Sequence, residues 1–477
     1  MSDSATPVAG SGNGNQRNLN FIQRLLYSSG EMGVNLSPGI VVGWLIYFYT
    51  GRTDADGNTI FLVSAWAIAG LNLFGRIVDS LADPLVGYYS DRLNTRWGRR
   101  IPWVVIGTPF LALFTIMMWF PPQSHPGWAN TLWLAVALGG FWFFYTAVVA
   151  PYLALLPEIS PYNNERIGIS EWMAYFDVLG MLVATVVAGI IYEVFSGGLS
   201  IGPLSLTDGY KVGAVFIAAL MALCFYLSVW KVREKPFDKT KAVPFNFIQA
   251  FKSSLTNPWF WPYVAAVSFF RISVDVVVAM IPFMVSGLMG YGESVAGGLQ
   301  GIIIIVAAVM FPVVSKASVK HGKKKIFLIG LLWFAVALPF WVLVEHFPFM
   351  GWAVSAVASV FGLEMSTSAI KLTHCIVLFV SCAFPISTAF VLPRPIFADV
   401  IDHDEKLTGY RREAMYNGME GLLTKAAAGI AGFMVPLLIK YLGGSIDRPW
   451  GILVAGPLSG FILFFGYLAF KKYPYEK

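Results

Sequence analysis

From residue 31 to residue 470 the chain alternates long apolar runs with short polar breaks. A run of about 20 mostly apolar residues is what a helix needs to cross a ~30 Å hydrocarbon core. The pattern predicts twelve such helices, near residues 31–50, 60–89, 101–120, 129–156, 168–194, 210–230, 258–285, 295–314, 326–344, 372–399, 415–440 and 449–470. The stretch 346–371 is apolar but too short to span, and reads as a periplasmic or interfacial segment. The polar opening Met1–Asn20 lacks the basic start, short apolar stretch and small-residue cleavage site of a signal peptide. Residues 1–30 and 471–477 are therefore expected to be cytoplasmic tails, the first one disordered.

The longest charged, Pro-containing stretch is 231–257, and it divides the apolar pattern into an N-terminal six-helix bundle, 31–230, and a C-terminal one, 258–470. A short echo supports duplication. Pro84 is followed by a polar turn that ends in Gly-Arg-Arg, and Pro312 by one that ends in Gly-Lys-Lys-Lys. The expected fold class is an all-α membrane protein.

Composition agrees: 57% of residues are hydrophobic and 13% charged, against ~25% charged in soluble domains. The net charge of +6 is explained by its placement. With both termini on one side, 24 of the 33 Lys and Arg fall on that side, four on the other and five within spans. The positive-inside rule then puts both ends in the cytoplasm of a multi-pass inner-membrane protein. The basic excess reflects topology, and no nucleic-acid partner is expected. Cys224, Cys375 and Cys382 lie in apolar runs without paired spacing and read as helix packing. Gly198–Gly202 matches a hydrolase elbow pattern but falls in a loop of a membrane protein, outside the strand-turn-helix setting that motif requires. No phosphate loop, zinc-spaced histidine set or dinucleotide fingerprint occurs, so neither an enzyme, a primary pump nor a bound cofactor is expected.

Eight ionisable residues fall well inside predicted spans: Arg76, Asp79, Asp83, Asp177, Arg271, Asp275, Arg394 and Lys425. At roughly 2.5–3.5 kcal/mol each, facing all of them to lipid would cost on the order of 20 kcal/mol, so they must face a cavity or one another. Arg76, Asp79 and Asp83 follow i, i+3, i+7 spacing and share one helix face. Two carboxylates a turn apart can hold a small hard cation or share a proton. The alternative is an Arg76–Asp79 pair that only braces the bundle. Arg271 and Asp275, at i, i+4, are open between a self-satisfying pair and a substrate contact. Arg394 lies between Pro393 and Pro395, where a broken helix would line a cavity. Lys425 stands among small residues and calls for a carboxylate across the cavity, such as Asp79 or Asp83, or an anionic part of the substrate. Tyr145, Trp142, Tyr175 and Phe390 are aromatic candidates for a sugar or acyl contact, although packing is the commoner role.

The run Gly75–Pro109, GRIVDSLADPLVGYYSDRLNTRWGRRIPWVVIGTP, resembles the glycoside–pentoside–hexuronide:cation symporters, the melibiose-permease-like branch of the major facilitator superfamily. Pro151-Tyr152, Leu156-Pro157, Ala398-Asp399, Asp402, Arg412-Glu413 and Lys425 extend the likeness from about residue 25 to the end. The resemblance implies the major facilitator fold, with twelve helices in two six-helix bundles. It implies a cation site at Asp79, Asp83 and Thr146, with Asp79 and Asp83 the metal ligands if the coupling ion is Na⁺ rather than H⁺, and Lys425 near both sites. The sugar-site positions depart from the family: Asn35, Val149, Leu153 and Met173 stand there. Glu31 lies one turn before Asn35 and Asp177 one turn after Met173, so a rebuilt pocket would contain Glu31, Asn35, Arg76, Tyr145, Asp177, Arg271, Phe390, Arg394 and Lys425. The basic loop with Asp91, Arg92, Arg96, Arg99 and Arg100 is expected to act as a cytoplasmic gate, pairing with acids such as Asp91 or Glu165. The expected function is cation-coupled symport of a sugar or glycoside by a monomer. Carriage of a lysolipid or other amphiphile, as in the similar animal lysophosphatidylcholine symporters, is the alternative, and a non-transporting receptor ranks third.

Overall fold

The structure is a computed structural model that describes residues 20–52, 60–90, 93, 95–159, 163–201, 204–230, 232, 257–408 and 413–474. The first half contains α1 (Phe21–Thr50), α2 (Ala65–Ser90), α3 (Ile101–Met117), α4 (Trp128–Ile159), α5 (Asn163–Leu182), α6 (Ala188–Val194) and α7 (Gly209–Val229). A π-helical turn, Val183–Val187, joins α5 to α6 into one span. The second half contains α8 (Phe260–Pro282), α9 (Glu293–His321), α10 (Lys323–Ala337), α11 (Phe349–Val360), α12 (Thr367–Ser381), α13 (Ala383–Val391), α14 (Pro393–Thr408), α15 (Glu413–Leu442), α16 (Trp450–Leu453) and α17 (Ala455–Lys471).

Among the described residues, ten stretches are long and apolar enough to cross a membrane. The two remaining predicted spans are α2, whose apolar run is interrupted by Arg76, Asp79 and Asp83, and α3, which has 17 residues. Both pack as full members of the first bundle, α2 and α3 each against α4. The twelve-residue α11 covers part of 346–371 and is too short to span.

The halves repeat one packing scheme. In the first, α1 packs on α5 and α7, and α3 on α4 and α7. In the second, α8 packs on α15 and α17, and α10 on α13 and α17. The two halves meet along α2 and α15 and at the end bearing Thr50, Ala65, Val194 and Glu293. At that end Ser294 N–H donates to Glu193 Oε2 (2.9 Å), the Tyr210 hydroxyl to Glu293 Oε1 (3.1 Å) and Trp66 Nε1 to the Tyr441 hydroxyl (2.9 Å). Glycines allow this approach: a Cβ on Gly297 would lie 2.4 Å from the Thr185 carbonyl oxygen, and one on Gly189 2.6 Å from that of Glu293.

Three expectations need correction. The first helix starts at Phe21, ten residues before the predicted boundary, because Asn20 and Gln23 form a reciprocal capping box. Its first turns also pack, with the buried Tyr27 hydroxyl donating to the Tyr152 carbonyl at 2.8 Å, so residues 21–30 belong to the bundle. At the other end the bundle reaches Tyr473, which is buried against Phe470 and Trp259, so the start of the predicted tail is packed. Between α6 and α7 lies a small hairpin, Leu199–Ile201 paired with Leu204–Leu206, at the site of the chance elbow motif. The three cysteines are free and buried in helix contacts. The proposed linker 231–257 lies outside the described residues except at 232 and at Asn257, which is buried and donates to the Tyr416 hydroxyl.

Candidate functional site

Three helices converge on one charged cluster. From α2 come Arg76, Asp79 and Asp83, from α4 Trp142 and Thr146, and from α15 Lys425. The small residues around Lys425 explain how α15 approaches: a Cβ on Gly429 would lie 3.2 Å from Arg76 Cβ, and one on Gly432 2.9 Å from Asn72 Cβ. This contact sets the lysine against the carboxylates. Lys425 Nζ donates to Asp79 Oδ1 at 2.9 Å and to Asp83 Oδ2 at 2.8 Å, and lies 3.5 Å from the Asp79 main-chain carbonyl oxygen. The Thr146 hydroxyl donates to Asp79 Oδ1 at 2.6 Å. Asp79 is buried at 1% exposure, whereas the Asp83 side chain is 38% exposed, so the cluster has a closed end and an open one.

Asp79 Oδ2 faces the other way. It is buried without a hydrogen-bond partner among the described residues, and Arg76 Nη1 lies 3.6 Å from it. The Arg76 guanidinium lies 3.8 Å over the Trp142 ring, an arrangement worth ~0.5–2 kcal/mol. Gly75 makes room for that ring, since a Cβ there would meet Trp142 Cδ1 at 2.5 Å. Beyond Arg76 is a cavity of about 30 Å³, lined among others by Asn72, Trp142, Asp275 and Ala279. Its size suits one or two water molecules. Asp275 in turn pairs with Arg271 at 2.8 Å. A line of charges thus runs from Asp83 in the first half to Arg271 in the second.

A second polar group lies on α1 and α5. Asn35 Nδ2 donates to Asp177 Oδ1 and to the Glu31 carbonyl oxygen, while Glu31 Oε2 is buried without a hydrogen-bond partner among the described residues. Arg394, in the first turn of α14 after the break at Leu392, is exposed. It makes no ion pair within 4 Å among the described residues, and its charge reaches Glu31, Asp177 and Glu420 electrostatically. Tyr145 stands between the two groups: its hydroxyl donates to the Val34 carbonyl at 3.1 Å and its ring meets Trp142 edge-on. Phe390 is 48% exposed, with Phe311 as its ring neighbour.

Of the expected gate residues, Asp91 and Arg92 lie outside the described residues, as does the Glu165 side chain. Arg96 lies over Trp97, and Arg99 and Arg100 follow a tight turn closed by Thr95 and Gly98, whose φ of 107° favours glycine. Glu420 and Tyr263, hydrogen-bonded at 2.5 Å, escaped the sequence reading. The signal was available: Glu420 is a carboxylate inside the predicted span 415–440, five residues before Lys425.

Residues 26–449 match the family described as MFS/sugar transport protein. An isoprimeverose transporter of Lactiplantibacillus pentosus is 24% identical, over 88% of this chain and 80% of its own. A sodium-dependent lysophosphatidylcholine symporter of Xenopus tropicalis is also 24% identical, over 84% of this chain and 78% of its own. Among solved structures, a D-xylose-proton symporter aligns with a TM-score of 0.61 at 13% identity, covering 93% of this chain and 97% of that one, a likeness of fold.

Proposed function

The chain belongs to the MFS/sugar transport protein family, a family of membrane transporters rather than enzymes, and from that membership we propose that it is a cation-coupled symporter of a sugar or glycoside. The observation that carries this reading is the position of the Lys425 ammonium between Asp79 and Asp83. Around that point lie carboxylate oxygens of both aspartates, the Asp79 main-chain oxygen and, on Asp79 Oδ1, the Thr146 hydroxyl. Oxygen sets of this kind suit a small hard cation, and the two carboxylates equally suit a proton. Asp79, Asp83, Arg76 and Lys425 sum to zero charge. An entering Na⁺ or H⁺ therefore takes the place of the ammonium, and Lys425 is released.

Released, Lys425 breaks a tie between the two halves, because Asp79 and Asp83 belong to the first and Lys425 to the second. Cation binding thereby loosens one contact of this conformation and helps the halves rock about a central site. By linkage, substrate and cation then strengthen each other's binding. With both termini in the cytoplasm of an inner-membrane protein, the joined end of the halves is periplasmic and the Asp83 end faces the cytoplasm. The substrate contacts are Glu31, Asn35, Asp177 and Arg394, with carboxylate and amide oxygens accepting from sugar hydroxyls, and the transporter acts as a monomer.

A second reading, transport of a lysolipid or other amphiphile, is favoured by the apolar Val149, Leu153 and Met173 at the positions that depart from the family's sugar site, Leu153 being 43% exposed. Binding of radiolabelled sugars and of a lysolipid to the purified protein, with and without Na⁺ at two pH values, separates the readings. Sugar binding strengthened by Na⁺ or by acid supports the first. Cation-strengthened lysolipid binding alone transfers the assignment to the second, and ligand binding indifferent to both cations overturns the coupling.

A further inference from the structure

Away from the charged cluster, α10 and α17 leave a groove of about 280 Å³ between them on the outer surface of the second half. It is lined by Lys324, Lys325, Leu328, Ile329, Leu332 and Tyr467. Its chemistry is graded along α10. The two lysines lie at the helix start, and the apolar side chains follow at the i+4 and i+7 positions that continue the same face. From Lys324 to Leu332 the helix rises ~12 Å at 1.5 Å per residue, so a charged mouth leads into an apolar track about that long. Ile329 and Leu332 remain 40% and 37% exposed, and Tyr467 is half-buried, as expected of a wall that faces hydrocarbon.

The charges at the mouth differ from their neighbours. Lys323 is neutralised by Asp399 at 2.5 Å. Lys324 donates to the Tyr473 carbonyl oxygen, which holds its ammonium in place without cancelling its charge. Lys325 is exposed and has no hydrogen bond or ion pair among the described residues. Lys471 lies one turn beyond Tyr467 on α17, at the same end. Two ammonium groups without an ion pair among the described residues, at a membrane-surface helix end above an apolar track, complement a negative headgroup carrying an acyl chain. Basic pockets between membrane helices recognise anionic lipids through this combination.

We propose that the α10–α17 groove binds one anionic phospholipid, with its phosphate between Lys324 and Lys325 and an acyl chain along Leu328, Ile329, Leu332 and Tyr467. The lipid is a bound structural partner of the second half, distinct from any transported substrate, and it braces α10 against α17. Neither Asp79 nor Lys425 takes part, so the groove is independent of the cation site.

The test is the melting temperature of the full-length protein in dodecylmaltoside micelles, titrated with dioleoylphosphatidylglycerol, dioleoylphosphatidylcholine or inorganic phosphate. Phosphatidylglycerol is expected to raise the melting temperature with dose, and a Lys325→Glu variant, altered at an exposed position, to lose that rise. A Lys324→Ala/Lys325→Ala double variant, analysed by native mass spectrometry, is expected to lose phosphatidylglycerol adducts while the wild type retains one. An equal rise with phosphatidylcholine would reduce the groove to ordinary lipid solvation. A rise with inorganic phosphate alone would make it a simple anion site, and an unchanged response in Lys325→Glu would remove the lysines from it. Each of these three results overturns the proposal.

Discussion

The ammonium of Lys425 lies 2.8 Å from the carboxylate of Asp83, although the two residues belong to opposite halves of the molecule. The same ammonium is 2.9 Å from Asp79, which is fully buried. Removing one member of a buried ion pair typically costs ~3–5 kcal/mol, because the charge left behind stays desolvated and unpaired. This contact is therefore a structural tie and, in the proposed mechanism, an internal competitor for the coupling cation.

Lys425→Ala should lower the thermal stability of the cation-free protein and raise its apparent affinity for the coupling cation by about tenfold or more, equivalent to ~1.4 kcal/mol. Na⁺ and proton titrations followed by melting temperature measure both effects. A weaker cation affinity in this variant would show that the lysine assists the ion instead of competing with it.

Asp83→Asn removes one acceptor at the open end, where the side chain is 38% exposed, and should leave the fold intact. Cation-dependent uptake in membrane vesicles is expected to fall to background, with expression and monodispersity unchanged. Cation-driven uptake at the wild-type rate would sink the cation-site assignment.

Gly297→Leu should pry apart the joined end of the halves, because the added Cβ would start 2.4 Å from the Thr185 carbonyl oxygen, a backbone atom that cannot step aside. Spin labels on α6 and α9 should report a longer distance in this variant than in the wild type. An unchanged distance would mean that the seam tolerates bulk and does not govern the conformation.

Trp142→Ala takes the ring away from Arg76 and should cost ~0.5–2 kcal/mol of stability through the lost cation–π contact, in addition to lost packing. Trp142→Phe should recover part of it, since a ring face remains. Equal melting temperatures for the two variants would show that a ring face at this position contributes nothing to stability.

The span pattern and the charged stripe of α2 were legible from the sequence because both are local. Apolar run length identifies spans, and i, i+3, i+7 spacing puts Arg76, Asp79 and Asp83 on one face. The reach of Lys425 to a carboxylate pair was foreseeable from its isolation in an apolar span, but its sharing between two aspartates required the approach of α15 to α2 that Gly429 and Gly432 permit. The start of α1 was not legible because Gln23, Arg24, Ser28 and Ser29 interrupt the apolar pattern before residue 31, and the packing of this segment depends on Tyr27 reaching the Tyr152 carbonyl, 125 residues away. Glu420 is marked in the sequence by its place inside the span 415–440, but its partner Tyr263 is distant in sequence and only tertiary contact identifies the pair.

Arg76 and Lys425 neutralise the same aspartate but are held differently. The arginine is fixed against Trp142 within its own half, while the lysine belongs to the other half. When the halves part, one positive charge remains with Asp79 and one departs. A full charge shifted across the membrane field is worth ~2.3 kcal/mol per 100 mV, and any fraction of that path traversed by Lys425 scales accordingly. In the proposed rocking step the charge of Lys425 moves relative to the aspartates, so the membrane potential is expected to bias which conformation the resting protein occupies.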